Sequence, residues 1–192
     1  MNSSTKRAVF LDRDGTINHD TGYLTRPEEL VLYPWAADAI KLINDAHFAT
    51  VVITNQGGVA RGLCGEEEIR AINDKMIDDL AKLGARIDAV YYCPHHPAGS
   101  EAAYRVICEC RKPQPGMLRQ AAEEHCLLLE GSYVIGDKVT DIEAAVNVGA
   151  TPALVLTGYG ERTRLMLAES NALPGIVSAT LLEAVAQILD RL

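Results

Sequence analysis

The feature that most restricts this chain is a recurring order: a short wholly apolar run, then a polar cluster, then a stretch of helical periodicity. Ala8-Val9-Phe10-Leu11 runs straight into Asp12, as a strand buried on both faces should. Pro34 to His47 reads as a helix, with Trp35, Ala39, Leu42, Ile43 and Ala46 on one side. Phe48 to Ile53 is a second buried strand, closed by Thr54-Asn55-Gln56-Gly57-Gly58. From Glu66 to Leu83 the apolar residues Ile69, Ile72, Met76, Leu80 and Leu83 fall three and four apart. Glutamates suit the positive amino end of that helix, and Gly84 closes it. Ile87 to Tyr92 is a third strand, and Cys93 to Pro115 a long irregular loop.

A helix starts at Pro115 and passes through Met117, Leu118, Ala121 and Ala122. Tyr133 to Ile135 is a fourth strand, Asp141 to Val148 a helix ended by Gly149, and Ala153 to Leu156 a fifth strand. Ile176-Val177 offers a short strand, and Leu181 to Leu189 a final amphipathic helix. Alternation of this kind predicts an α/β fold: a doubly wound, mainly parallel sheet of five to six strands, Rossmann-like, with helices on both faces. At 192 residues the chain reads as a single domain, 1–192, able to bury roughly 70% of its unfolded surface. No repeat, low-complexity tract or linker interrupts it.

With 18 basic against 26 acidic residues, the net charge of −8 argues against a nucleic-acid binder, which needs surplus Lys and Arg to displace counterions. Aromatics at 5% leave few platforms for stacking bases. The longest uncharged stretch, Ala144 to Gly160, holds Asn147, Pro152 and three glycines and reads as helix, turn and strand rather than a membrane span. Lys6 and Arg7 precede only four apolar residues, too few for a signal peptide. A cytoplasmic monomer is expected, with its thiols reduced. Of five cysteines, Cys93, Cys108 and Cys110 crowd into eighteen residues, which suggests metal rather than disulfides.

Ligands of open parallel sheets bind at the carboxyl ends of the strands. Those ends carry Asp12-Arg13-Asp14-Gly15-Thr16, Thr54-Asn55-Gln56, the cysteine loop running into Arg111-Lys112, and Gly136-Asp137-Lys138. One such loop could be capping and turn chemistry alone; four converging on one edge point to a site. Two other motifs fail. An EF-hand starting at Asp12 needs Gly and Glu where Ile17 and Tyr23 stand. A phosphate-binding loop over Gly131 to Lys138 needs Lys where Asp137 stands.

Two carboxylates one residue apart suit a nucleophile and a separate acid/base, with Gly15 allowing a sharp turn. A carboxylate attacking a phosphate dianion faces repulsion, which Mg²⁺ on carboxylate oxygens and a Lys would neutralise. Asp137 completes such a metal site and Lys112 supplies the cation.

Asp12-x-Asp14-Gly15-Thr16, then Thr54, then Lys112, then Gly136-Asp137-x-x-x-Asp141 resemble, in order and over nearly the whole chain, the four motifs of the haloacid dehalogenase superfamily of phosphatases. The resemblance implies that Asp12 forms an aspartyl-phosphate, while Asp14 protonates the leaving oxygen and then activates water. It implies that Thr54 and Lys112 hold the phosphoryl oxygens. It further implies Mg²⁺ on the side chains of Asp12 and Asp137 and the carbonyl of Asp14, with Asp141 orienting the site from behind.

Cys93-x-His95 and, twelve residues on, Cys108-x-Cys110 supply three thiolates and an imidazole, a normal tetrahedral zinc set. Four protein ligands leave no open position, so zinc here is expected to be structural and to fix Arg111 and Lys112 beyond Cys110. Cys64 and Cys126 read as plain thiols and His96 as a loop residue. With its zinc loop, 93–115, the chain resembles the sugar-bisphosphate phosphatases of that superfamily, and also the histidinol-phosphate phosphatases. The first likeness implies that Asp20, Thr21, Gly22, Tyr23, Asn55, Gln56, Gly57, Arg111 and Lys138 contact the sugar bisphosphate. The gaps between motifs leave no room for a cap domain, so the mouth should be open and specificity should come from loops. A rival of another class is a zinc-stabilised binding protein without turnover.

Overall fold

The computed structural model describes residues 6–192. In chain order the elements are β1 (Lys6–Leu11), α1 (Ala36–Asp45), β2 (Ala49–Asn55), α2 (Glu66–Lys82), β3 (Ala89–Cys93), α3 (Gly116–Glu124), β4 (Leu127–Gly136), α4 (Val139–Val146), β5 (Thr151–Val155), α5 (Gly160–Glu169), β6 (Val177–Ser178) and α6 (Leu181–Leu189). All six strands are parallel and lie in the order β3-β2-β1-β4-β5-β6. This is the doubly wound arrangement expected from the sequence, with its switch point between the central strands β1 and β4.

The two faces of β1 explain its apolar run. Val9 and Leu11 enter a core shared with α1, α2 and α6, while Ala8 and Phe10 enter a second core shared with α3 and α4. Burying each large side chain stabilises the fold by about 1.5–3 kcal/mol, so β1 is pinned from both sides. Asp12, the first residue beyond it, inherits that rigidity. The β1–β2 and β2–β3 connections hold α1 and α2 as their only α-helices. Among the described residues there is no separate cap domain, and no helix is long and apolar enough to cross a membrane.

Several element bounds differ from the sequence reading by one or two residues, and four differences have a clear physical cause. β4 begins at Leu127 rather than Tyr133, because the chain passes through a bulge around Glu130-Gly131-Ser132 and stays in the sheet on both sides of it. Gly131 adopts φ +78° there, and the Ser132 hydroxyl accepts the Ala8 N–H at 2.8 Å, replacing a ladder bond. α4 begins at Val139, two residues early, with an Asp141 carboxylate oxygen accepting the Lys138 N–H at 3.0 Å. α1 buries Ile40 where Leu42 was expected; Leu42 is 37% exposed. α5 was not anticipated: Leu165 and Met166 face solvent and only Gly160, Thr163 and Leu167 are buried, so no apolar stripe announces it.

Candidate active site

Asp12 leaves β1 buried, and its Oδ1 accepts from Lys112 Nζ at 2.9 Å. That ammonium also donates to the Ile53 carbonyl at 2.7 Å and pairs with Asp141 Oδ1 at 2.6 Å. Lys112 thus ties β1, β2 and α4 together, with two hydrogen bonds and a charge pair in which Asp141 Oδ1 receives no hydrogen bond. Burial opposes ionisation of Asp12, yet the ammoniums of Lys112 and Lys138 hold its carboxyl below the usual range. Burial also works against the charge on Lys112, and Asp12 and Asp141 outweigh it, raising that group.

Asp137 leaves β4 beside it. Oδ2 accepts the Tyr159 backbone N–H at 2.7 Å. Oδ1 receives no hydrogen bond, and Lys138 Nζ stands 3.4 Å away. Burial first and the Asp12 carboxylate second push Asp137 up to about 7. Carboxylate oxygens of Asp12, Asp137 and Asp141 lie within 4.8 Å of one another. Crowded, buried and under-satisfied, they are a set that a hard divalent cation would relieve. Gly15 makes the crowding possible: it takes φ +91°, and a Cβ there would run into the Asp137 carboxylate.

Lys138 Nζ reaches Asp20 Oδ2 at 3.0 Å, the Asp14 carbonyl at 3.4 Å and Asp12 Oδ2 at 3.9 Å. It therefore touches the same three groups, on Asp12, Asp14 and Asp137, that the sequence reading assigned to a cation. Its ammonium also stands 5.1 Å over the Tyr159 ring.

The remaining candidates gather around a cavity of about 310 Å³ lined by Asp12, Asp14, Asp20, Gly22, Tyr23, Thr54, Asn55, Gln56, Arg111, Lys112 and Lys138. Thr21 and Gly57 are outside that lining. Gly57 instead packs against His96 and the Arg111 guanidinium. The Thr54 hydroxyl and the Asp14 Oδ2 both accept from Gln56 Nε2 at 2.8 Å. Asn55 is already committed: its amide accepts the Lys112 N–H at 3.0 Å and donates to the Lys112 carbonyl at 3.1 Å, locking the Lys112 backbone to β2. Thr140, Asp141 and Tyr159 also line the cavity. Of these, Thr140 and Tyr159 were missed by sequence reasoning. The signal for Tyr159 was the loop after β5, a further strand end on the same edge.

The Cys/His cluster lies on the neighbouring loop. Cys93, at the end of β3, is buried, while His95, Cys108 and Cys110 are half-buried. Sulfur–sulfur distances are 3.1, 3.3 and 3.6 Å, and His95 Nδ1 lies 3.3 and 3.7 Å from the sulfurs of Cys110 and Cys93. Zinc–sulfur bonds near 2.3 Å in a tetrahedron imply edges of about 3.8 Å, so the four donors need open only slightly to take such an ion. Hydrogen bonding from Cys93 first, then from His95 and Cys108, pulls Cys110 down to about 5 against its burial. Arg111, the next residue, donates to the His95 carbonyl at 3.0 Å, tying the cluster to the cavity wall.

Residues 109–184 match the HAD-hydrolase-like family model. A D-glycero-beta-D-manno-heptose-1,7-bisphosphate 7-phosphatase of Yersinia pestis is 44% identical over 153 residues, covering 79% of this chain and 81% of its own. The Rhodopseudomonas palustris enzyme of the same name is 46% identical over 151 residues, covering 78% and 84%. The crystal structure of the D,D-heptose 1,7-bisphosphate phosphatase of B. bronchiseptica, complexed with magnesium and phosphate, superposes with a TM-score of 0.83. It is 35% identical and covers 97% of this chain and 99% of that one.

Proposed function

The chain belongs to the haloacid-dehalogenase-like hydrolases, and from that premise we propose that it removes the 7-phosphate of D-glycero-D-manno-heptose 1,7-bisphosphate, in the synthesis of nucleotide-activated heptose. The observation that carries this reading is the convergence of Asp12, Asp14 and Lys112 on one cavity whose wall also presents Arg111, with the Asp137 carboxylate clustered against Asp12 and Asp141. Relatives above 40% identity bearing that activity support it. We take 1–192 as one phosphatase domain acting in the cytoplasm, where the clustered thiols stay reduced.

In this reading a carboxylate oxygen of Asp12 attacks phosphorus as the bond to the sugar O7 breaks. Asp14 gives its proton to that leaving oxygen. Asp14 then accepts a proton from water, whose oxygen attacks the aspartyl-phosphate, releasing inorganic phosphate and restoring the Asp12 carboxylate. Lys112 and Thr54 hold the phosphoryl oxygens, and Lys112 keeps Asp12 ionised throughout. Mg²⁺, held by Asp12, Asp137 and the Asp14 carbonyl, would supply positive charge against the dianion. Zinc on Cys93, His95, Cys108 and Cys110 would order the loop that presents Arg111 and Lys112, with no part in the chemistry. Arg111 and Lys138 are the cations available to the phosphate that is retained, and Asp20, Gly22, Tyr23 and Gln56 form the walls around the sugar, whereas Thr21 and Gly57 lie outside this cavity.

The test is phosphate release from heptose 1,7-bisphosphate and from histidinol phosphate, measured side by side with Mg²⁺. The proposal expects a clearly higher kcat/KM on the heptose. A preference for histidinol phosphate would overturn the substrate assignment, and no release from either would overturn the activity.

A further inference from the structure

Arg13 stands between the two motif carboxylates, and its side chain is wholly shielded from solvent. A buried guanidinium must be paired. Its partner is Asp14, gripped in bidentate fashion: Nε to Oδ1 at 3.1 Å and Nη2 to Oδ2 at 2.8 Å. Among the described residues no other carboxylate pairs with Arg13. The far side of the guanidinium is anchored by α2, where Nη1 donates to Asn73 Oδ1 at 2.9 Å. Asn73 lies in the buried face of α2, 60 residues away in sequence. Asn18 Nδ2 at 3.0 Å and Gln56 Nε2 at 2.8 Å complete the shell, so Asp14 receives four hydrogen bonds.

We infer that Arg13 and Asn73 are positioning residues for the acid/base carboxylate: α2, through Asn73 and then Arg13, sets where the Asp14 carboxylate stands at the edge of the cavity. The inference rests on the phosphatase reading and on the role given there to Asp14. Neither side chain lines the cavity, so both act through Asp14 alone. A bidentate fork held at its third nitrogen cannot pivot, which fixes the carboxylate in the plane that the leaving oxygen must approach. Misplacing a reacting group by about 1 Å can cost about 100-fold.

A positioning role for a general acid has a signature that a structural role lacks. An alkyl phosphate such as the heptose 7-phosphate needs its leaving oxygen protonated, whereas p-nitrophenolate leaves without help. Asn73→Leu, which removes the anchor, should lower kcat/KM for heptose bisphosphate about 10- to 100-fold while largely keeping kcat/KM for p-nitrophenyl phosphate. Asn73→Asp, which keeps an acceptor on Arg13, should retain both activities. Arg13→Lys, which keeps the charge and loses the fork, should reproduce the selective loss and serves if Asn73→Leu fails to fold by circular dichroism. Equal losses on both substrates, or no loss on either, in a folded variant would overturn the inference. Wild-type protein inactive on both substrates would instead sink the phosphatase reading itself.

Discussion

The acid cluster and the Cys/His cluster flank the same dipeptide, Arg111-Lys112, and are built on opposite terms. Asp12, Asp137 and Asp141 are all buried and stand on the ends of adjacent central strands and the helix after them. Their geometry is enforced by the two cores that grip β1, and it works against their own electrostatics, as the raised Asp137 and Asp141 carboxyls show. The Cys/His cluster has one ligand on a strand and three on a loop without helix or strand between Cys93 and Gly116. There the ligand atoms are already compatible with one another, and the backbone has little else to order it. A site dictated by the sheet should keep its shape whatever is bound; a site dictated by its own ligands should lose its shape when they fail.

Removing the proposed nucleophile is the strongest way to sharpen this contrast. Asp12→Asn should lower turnover by about 10⁴-fold or more while leaving the circular dichroism and the Cys/His cluster unchanged. Acid-stable label trapped on the protein from a ³²P-labelled substrate should vanish in the variant. Retained turnover would mean that the attacking group lies elsewhere.

Next in size is Arg111→Ala. A charge-assisted hydrogen bond is worth about 1.5–3 kcal/mol, so kcat/KM for the bisphosphate should fall about 10- to 100-fold. A monophosphate lacking the retained group should be far less affected. Equal losses would place Arg111 in the service of the reacting phosphate or of the loop, whose His95 carbonyl it already holds at 3.0 Å.

Cys108→Ser tests the other half of the comparison. Bound zinc should be lost, the segment 93–115 should become the first site of proteolysis, and KM should rise several-fold by weakened hold on the phosphate-binding cations. Sheet and helices should persist by circular dichroism, since both cores draw mainly on other segments. Full activity in a zinc-free variant would break the idea that the loop needs its ion.

The smallest effect concerns how the loop is tied down from outside. Glu66, at the start of α2, accepts from Tyr92 Oη at 2.7 Å and Tyr104 Oη at 2.9 Å. Those bonds hold its carboxyl below the usual range. A depressed folded value means that the stabilisation is present above the ordinary glutamate value of about 4.3 and is lost as pH falls through the folded one. Glu66→Gln should therefore cost about 1–2 kcal/mol near neutrality. The gap in thermal midpoint between wild type and variant should close below about pH 4. A gap independent of pH would deny Glu66 its charge-assisted role.

Much of the sheet was readable because each strand carries its own burial signal. Ala8-Val9-Phe10-Leu11 is apolar on both faces, and both faces are covered. Alternation predicted a mainly parallel sheet, and only the folded chain decided that all six strands run parallel in the order β3-β2-β1-β4-β5-β6. α5 escaped because Leu165 and Met166, its most apolar pair, face solvent. The early start of β4 escaped because Glu130-Gly131-Ser132 breaks the apolar run with a bulge. In both cases the local pattern ran against the tertiary placement.

For the site, residue chemistry at strand ends was enough to single out Asp12, Asp14, Thr54, Lys112 and Asp137, and cysteine spacing to single out Cys93, His95, Cys108 and Cys110, and the fold brings each set together. Both are short-range signals: a dipeptide offset or a loop length that any chain of this order must carry. What only the folded chain decided are pairings across long separations. The fork of Arg13 on Asp14 held by Asn73, the engagement of Asn55 with the Lys112 backbone, and the descent of Lys138 among the acids are of this kind. Arg13 in particular is invisible to pattern, because a charged residue in a loop is ordinarily solvated. Its burial follows from β1 being central and α2 closing over it, so that the guanidinium has no water to turn to and must take Asp14 as its partner.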